Sequence, residues 1–327
     1  MLGRLLTGRM LQYLLLIVAM LILNFMLPRM MPGTPLAFLA GEDVGLMTAE
    51  QRQAVMEQHG LDLPLPQQFG RYVVNLAQGD FGYSFQQRRP IADIIGERLP
   101  WTLLLAGANL LISTIIGVLV GAVAAWKRGG RSDASLIGTF VFLAAMPSFW
   151  IGMILVAVFS AQLGWFPVYG AYSTYSGLTG WDRLVDIGHH LVLPLTSLVL
   201  ISVSSVFFTM RYSMLSVLRQ DYISMARAKG VPERLVKYRH AMRNALLPVL
   251  TIFMLNLGFI VSGAVVIETV FAYPGIGRLL FQAVMARDYP VLQATFLLIT
   301  LTVIAANIVA DLLYPLFDPR VRVGGAR

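Results

Sequence analysis

Apolar residues in this chain come in long runs rather than in alternation. Six stretches, 10–28, 101–126, 136–161, 191–210, 246–270 and 291–314, are almost uniformly apolar. A helix needs roughly 20 such residues to cross a hydrocarbon core about 30 Å thick, so the pattern predicts six transmembrane helices with both termini on one side. The first run, LQYLLLIVAMLILNFML, follows Arg4 and Arg9 as the core of a signal peptide would. It exceeds the usual core of about 7–15 residues and no A-x-A-like site follows, so it reads as an uncleaved anchor. Between the first two runs, TAEQRQAVMEQHG predicts a helix that Thr48 caps, Gln51 completes as a capping box and Gly60 ends. PLPQQFGRYVVNLAQG predicts a second. At about 70 residues this outer region is small for a core of its own, and is expected to pack on the outer ends of the spans. The fold class is thus an all-α polytopic membrane protein with a largely helical outer loop.

Composition agrees with that picture. Of 327 residues, 57% are hydrophobic and 13% charged, with a mean hydropathy of +0.70, against about 25% charged in a soluble domain. The absence of cysteine excludes disulfides, thiolate metal sites and cysteine nucleophiles. Charge then orients the spans. The N-terminus, the loop 127–135, the segment 211–245 and the tail after 314 hold 16 Lys/Arg against four acids, while the other side holds nine against twelve. The basic side is cytoplasmic by the positive-inside rule. The net charge of +8 is topology and no sign of nucleic-acid binding, since the spans leave no soluble basic domain. The division along the chain is 1–31 for the N-terminal segment and first span, 32–98 for the outer region, 99–314 for a five-helix core that includes the segment 211–245, and 315–327 for a cytoplasmic tail.

Candidate chemistry is sparse. No phosphate-binding loop, G-x-S-x-G or H-E-x-x-H occurs. Gly275 and Gly277 in AYPGIGR read as a turn. His189 and His190 are adjacent and so face different sides of a helix, which suits an interfacial helix start better than a metal site. Glu268 and Asp311 fall near span ends and read as interfacial. A carrier coupled to protons or ions usually holds an ionisable residue at membrane depth, and the spans show no such residue. Pro147 is expected to kink the third span.

The densest charge lies in DYISMARAKGVPERLVKYRHAMRNALLP, residues 221–248. Tyr222, Met225 and Ala226 recur at helical spacing, Gly230 suits a helix end, and Pro232 suits the next helix start. Leu235, Val236, Ala241, Met242 and Ala245 stripe the second helix. The segment is a cytoplasmic helix–turn–helix, either lying on anionic headgroups or docking by its small residues into a partner protein.

ARAKG followed by HAMRNALLP resembles the cytoplasmic loop of binding-protein-dependent ABC importer permeases of the dipeptide, oligopeptide and nickel branch. MPGTP, GDFGYS, MPSFWIG, ETVFAYPGIGR, RDYPVLQ and DLLYPLFDPRVR look like motifs of the same branch, in order along nearly the whole chain. The general loop motif begins Glu-Ala-Ala where Ser224, Met225 and Ala226 stand here; Thr34 and Phe208 also depart from residues common in the branch. The resemblance implies a type I ABC importer permease fold in a bacterial inner membrane. It also implies a second, similar permease as heterodimer partner, two ABC ATPase subunits that bind ATP and Mg, and an extracytoplasmic solute-binding protein. Asp221, Ala226, Ala228, Lys229, Gly230 and Glu233 would then form the ATPase-coupling element. Ser202, Ser204, Ser205 and Thr209 in the fourth span, with Asn256 and Ser262 in the fifth, either border a translocation path or join helices. The chain itself is expected to bind no cofactor and catalyse no reaction. The substrate class spans dipeptides, oligopeptides, glutathione and nickel chelates, and an ion-coupled secondary transporter is the alternative.

Overall fold

A computed structural model describes residues 2–30, 48–58, 62–84, 86–174, 176–262 and 264–317. Helices make up nearly all of it: α1 Leu2–Met30, α2 Ala49–Gln58, α3 Leu65–Ala77, α4 Ile91–Trp126, α5 Arg131–Ala145, α6 Ser148–Gln162, α7 Gly180–Val217, α8 Asp221–Ala228, α9 Glu233–Gly258, α10 Val265–Val270, α11 Ile276–Ala286 and α12 Tyr289–Phe317. A two-stranded hairpin, β1 Tyr83–Ser84 against β2 Arg89–Pro90, precedes α4. Among the described residues, α4, α7, α9 and α12 are each long and apolar enough to cross a membrane, and the bent pair α5–α6 makes a fifth crossing. The six-span count is consistent with these and with the apolar stretch Leu11–Met26 of α1.

The differences from the sequence reading lie at helix ends. The third span is broken: α5 and α6 meet at 97°, and Pro147, which has no N–H to continue the helix, stands at the start of α6. The apolar run 246–270 is two helices. It begins inside α9, which ends at Gly258; a tight turn, Ile260–Ser262, then leads to α10. Hydropathy is continuous across this break, so it carries no sign of it. The fourth span is longer than its apolar run, because α7 starts at Gly180; the His189–His190 pair therefore sits well inside a helix and not at its start.

Close approach of backbones fixes the centre. On α4, a Cβ at Gly117 would lie 2.6 Å from the Val206 Cβ of α7, and one at Gly121 would lie 2.7 Å from the Phe207 carbonyl. Gly117 and Gly121 are four apart, the small-residue spacing that lets membrane helices touch. The capping box forms as expected: the Thr48 N–H donates to Gln51 Oε1 at 2.9 Å and the Gln51 N–H to Thr48 Oγ1 at 3.3 Å. Gly60 lies outside the described residues. α3 docks on the spans, with Asn24 of α1 donating to Tyr72 Oη at 3.1 Å and to the Gln293 carbonyl of α12 at 2.8 Å, and Arg29 donating to Gln68 Oε1 at 2.7 Å.

Candidate functional site

The basic hairpin of α8 and the start of α9 owes its shape to one glycine. Gly230 has φ +72°, a conformation that glycine adopts without a Cβ penalty. Its N–H donates to the Arg227 carbonyl at 2.9 Å, and the next N–H, of Val231, reaches back to the Ala226 carbonyl at 3.2 Å. These two bonds are the Schellman ending of a helix. Pro232 then starts α9, its carbonyl accepting from the N–H groups of Leu235 and Val236 at 2.8 and 3.0 Å. Arg227 and Glu233 pair across the turn at 3.0 Å, but both are exposed, so the pair contributes little stability. Asn244 donates to Tyr222 Oη at 2.7 Å, joining α9 to α8.

The hairpin does not hang free. Ile223 and Ala226 of α8 and Val236, Ala241, Ala245 and Val249 of α9 share one apolar cluster with Met210 and Met214 of α7 and Val118, Ala122 and Ala125 of α4. Ile223, Val236, Ala241, Met210 and Met214 are fully buried there. Each large side chain so enclosed stabilises the contact by about 1.5–3 kcal/mol. Trp126, at the end of α4, adds cation–π contacts, with Arg227 at 5.7 Å and Lys237 at 5.9 Å from its ring centroid. Three spans therefore end in a common core with the hairpin. This sorts the six coupling candidates. Ala226 is turned inward and 8% exposed, so it seats α8 on this chain's own helices. Ala228, Lys229, Gly230 and Glu233 are exposed around the tip, and Asp221 is exposed at the start of α8.

The polar residues of the spans divide as well. Ser202 accepts from Asn109 of α4 at 3.2 Å, which joins two helices. Ser205 and Thr209 donate to carbonyls of their own helix at 3.0 and 2.9 Å. Ser204 is buried and has no hydrogen-bond partner among the described residues, while Ser205 and Asn256 are exposed. Ser262 closes the turn after α9, and its side chain, like that of Asp311, lies outside the described residues. His189 donates to the Trp165 carbonyl at 2.8 Å and His190 to the Asp186 carbonyl at 2.9 Å. Among the described residues no cluster of three or more metal-ligating side chains occurs.

At the opposite end of the spans the motif residues meet each other. Glu268, expected at an interface, is fully buried. Its carboxylate accepts from Thr102 Oγ1 of α4 at 3.0 Å and from the Arg278 N–H of α11 at 2.9 Å, with the Gly277 N–H as a third donor. Thr102 Oγ1 in turn accepts from the Ile276 N–H at 2.7 Å. The first N–H groups of α11 thus face the acid, where the helix end favours negative charge. Gly275 and Gly277 make room for it: a Cβ at either would lie 2.4 or 2.9 Å from the carboxylate. The glycine pair that resembles a turn motif is therefore a cradle for an acid. Beside it, Ser84 of GDFGYS donates to Asp288 of RDYPVLQ, and both are buried. The members of these pairs lie 166 and 204 residues apart, so no local signal in the sequence marks them.

Two family models and several named relatives match this chain. Residues 1–106 match the N-terminal family described as a membrane component of binding-protein-dependent transport systems. The chain is 40% identical over 315 residues to the di/tripeptide transport system permease protein DppB of Pseudomonas aeruginosa, with 92% of this chain and 93% of the relative covered. It is 36% identical to the oligopeptide transport system permease protein AppB of Bacillus subtilis and 40% identical to the glutathione transport system permease protein GsiC of Escherichia coli, with the same coverage. Residues 117–323 match the family described as the binding-protein-dependent transport system inner membrane component, and the chain belongs to that family.

Proposed function

We propose that this chain is a permease subunit of an ATP-driven importer. It pairs with a second, similar permease to enclose the path. Two ATPase subunits that bind ATP and Mg sit beneath the α8–α9 tip, and a solute-binding protein delivers substrate on the far side. The observation that carries this reading is the tip itself. Ala228, Lys229 and Gly230 form an exposed, small surface on a hairpin whose inner face shares a core with α4, α7 and α9. Such an element transmits displacement as a rigid body. The relatives' names, which refer to di/tripeptides, oligopeptides and glutathione, support a peptide or a related small solute as substrate, nickel chelates being the further candidate. Exposed Ser205 and Asn256 are the path residues this reading favours.

Purification of the chain with the subunits that assemble on it tests the proposal. The expected result is a co-purifying ATPase whose hydrolysis rises when loaded binding protein is added, together with ATP-dependent uptake into proteoliposomes. Uptake driven by an ion gradient with no ATPase present would establish the secondary-carrier alternative instead. The reading also places both termini and residues 211–245 in the cytoplasm and residues 32–98 outside. Single cysteines replacing exposed Arg52 and Arg239 in this cysteine-free chain are expected to differ. An impermeant thiol reagent applied to intact spheroplasts labels position 52 and spares 239. The reverse pattern would invert the topology.

A further inference from the structure

Arg211, one of the basic charges that orient the chain, is part of α7 and is buried. Its guanidinium grips Asp133 of α5 side-on, with Nε to Oδ1 and Nη2 to Oδ2 both at 2.8 Å. Asp133 is also buried. Its Oδ2 accepts in addition from the N–H of Gly129, at 3.1 Å, in the turn between α4 and α5. One carboxylate thus joins α7, α5 and the α4–α5 turn. Arg211 directly follows Met210 and lies one turn before Met214, the two α7 residues that share the apolar cluster with Ile223 and Ala226 of α8.

We infer that the Asp133–Arg211 pair is a fixed tie that carries displacement of the α8–α9 hairpin into the bent α5–α6 span, and so positions that span during transport. The inference rests on the ATPase-coupled reading proposed above. Its first support is geometric. Two parallel hydrogen bonds fix direction as well as distance, so α5 follows α7 in rotation and not only in translation. The second is energetic. Parting the pair breaks two charge-assisted hydrogen bonds between largely covered side chains, so the contact is kept when α7 shifts. Nearby packing reinforces it, with Phe140 of α5 stacked on Phe207 of α7 at 4.3 Å between ring centroids. The third is the layout of the span. α4 and α7 are locked at Gly117 and Gly121 and move together. α5 is held to them by the tie, whereas α6 lies beyond the 97° break at Pro147. A change in relative position is therefore absorbed at the break, away from the tie.

The test uses the full complex in proteoliposomes, with Asp133→Asn, Arg211→Gln and the double exchange Asp133→Arg with Arg211→Asp. ATP hydrolysis and solute uptake are measured together. Each single variant is expected to retain the ATPases and hydrolyse ATP, while solute moved per ATP falls about tenfold, in the range of ordinary coupling effects. The exchange is expected to recover most of that loss, which a purely volumetric role for the two side chains would not produce. Spin labels at Ser135 of α5 and Arg219 just beyond α7 give a second readout. Their separation is expected to stay the same with and without ATP in the unaltered complex and to vary in Asp133→Asn. Unchanged uptake per ATP in Asp133→Asn overturns the tie. So does loss of ATPase association in both single variants, whether or not the exchange restores it, since the two residues would then serve assembly or folding instead of coupling. An unaltered complex that moves solute without ATP removes the transport reading, and the inference with it, whereas the variant outcomes bear on the tie alone.

Discussion

Gly230→Leu is expected to abolish uptake while leaving the chain in the membrane at its normal level. Two separate effects act at this position. The backbone stands at φ +72°, where a residue other than glycine costs about 1–2 kcal/mol. That strain falls on a turn outside the spans, held by the Arg227 and Ala226 carbonyls, and is small beside the burial that seats the hairpin. The second effect is steric and is aimed outward. Among the described residues, and apart from its chain neighbours, no heavy atom lies within 4 Å of a Cβ at Gly230, so a leucine side chain there starts in open space and projects toward whatever docks on the tip. Gly230→Ala separates the two, because it carries the same strain with little bulk. Membrane level, ATPase co-purification and uptake are the three measurements. Normal uptake by Gly230→Leu with the ATPase retained would sink the coupling role of the tip. Equal loss in the alanine and leucine variants would assign the effect to the turn's conformation.

Glu268→Ala is expected to be the most damaging single change to the fold. The carboxylate is fully enclosed, and its removal leaves the N–H groups of Gly277 and Arg278 and the hydroxyl of Thr102 without their acceptor. A hydrogen bond to a charged group is worth about 1.5–3 kcal/mol, and an orphaned buried donor costs a similar amount, against a total stability of about 5–15 kcal/mol. The amount of chain in the membrane should therefore fall several-fold, as losses of this size do in cells, and the extracted protein should unfold at a lower temperature. Glu268→Gln retains one acceptor oxygen and is expected to fall between. Gly275→Ala attacks the same site from the other side, because its Cβ would sit 2.4 Å from the carboxylate, and should resemble Glu268→Ala. Wild-type level and melting temperature in Glu268→Ala would show that the acid is dispensable to the fold.

The sequence disclosed those features whose physics is local. A run of about 20 apolar residues, Pro147 at a break, Thr48 with Gln51 three residues on, and Gly230 between two helices each carry their cause within a few positions. The hairpin's apolar stripe was visible too, but not what it lies against, so Ala226 was assigned outward with Ala228 when it belongs inward with Ile223. Long-range pairs were hidden for a specific reason. Summing charges by loop, which orients the spans well, treats every Arg and Asp as solvated. It therefore placed Arg211 and Asp133 in the same cytoplasmic tally, although the structure buries them together from 78 residues apart. One clue was available: Arg211 follows the apolar stretch VSSVFFTM without a helix stop, so a charge there needs a counter-ion. Glu268 was misplaced likewise, because a hydropathy profile cannot show that α9 ends at Gly258 and that a separate short helix carries the acid.

The enclosure of Glu268 also sets an order of manufacture. α10 and α11 have six and eleven residues, too few to cross a hydrocarbon core of about 30 Å, so neither is stable in lipid as a span of its own. One donor to the acid, Thr102, is synthesised long before it, while Gly277 and Arg278 emerge only afterwards. A nascent or truncated chain that stops before Gly275 would hold a carboxylate beside apolar helices with its cradle half built. This one residue therefore makes synthesis through Arg278 a condition for a closed site.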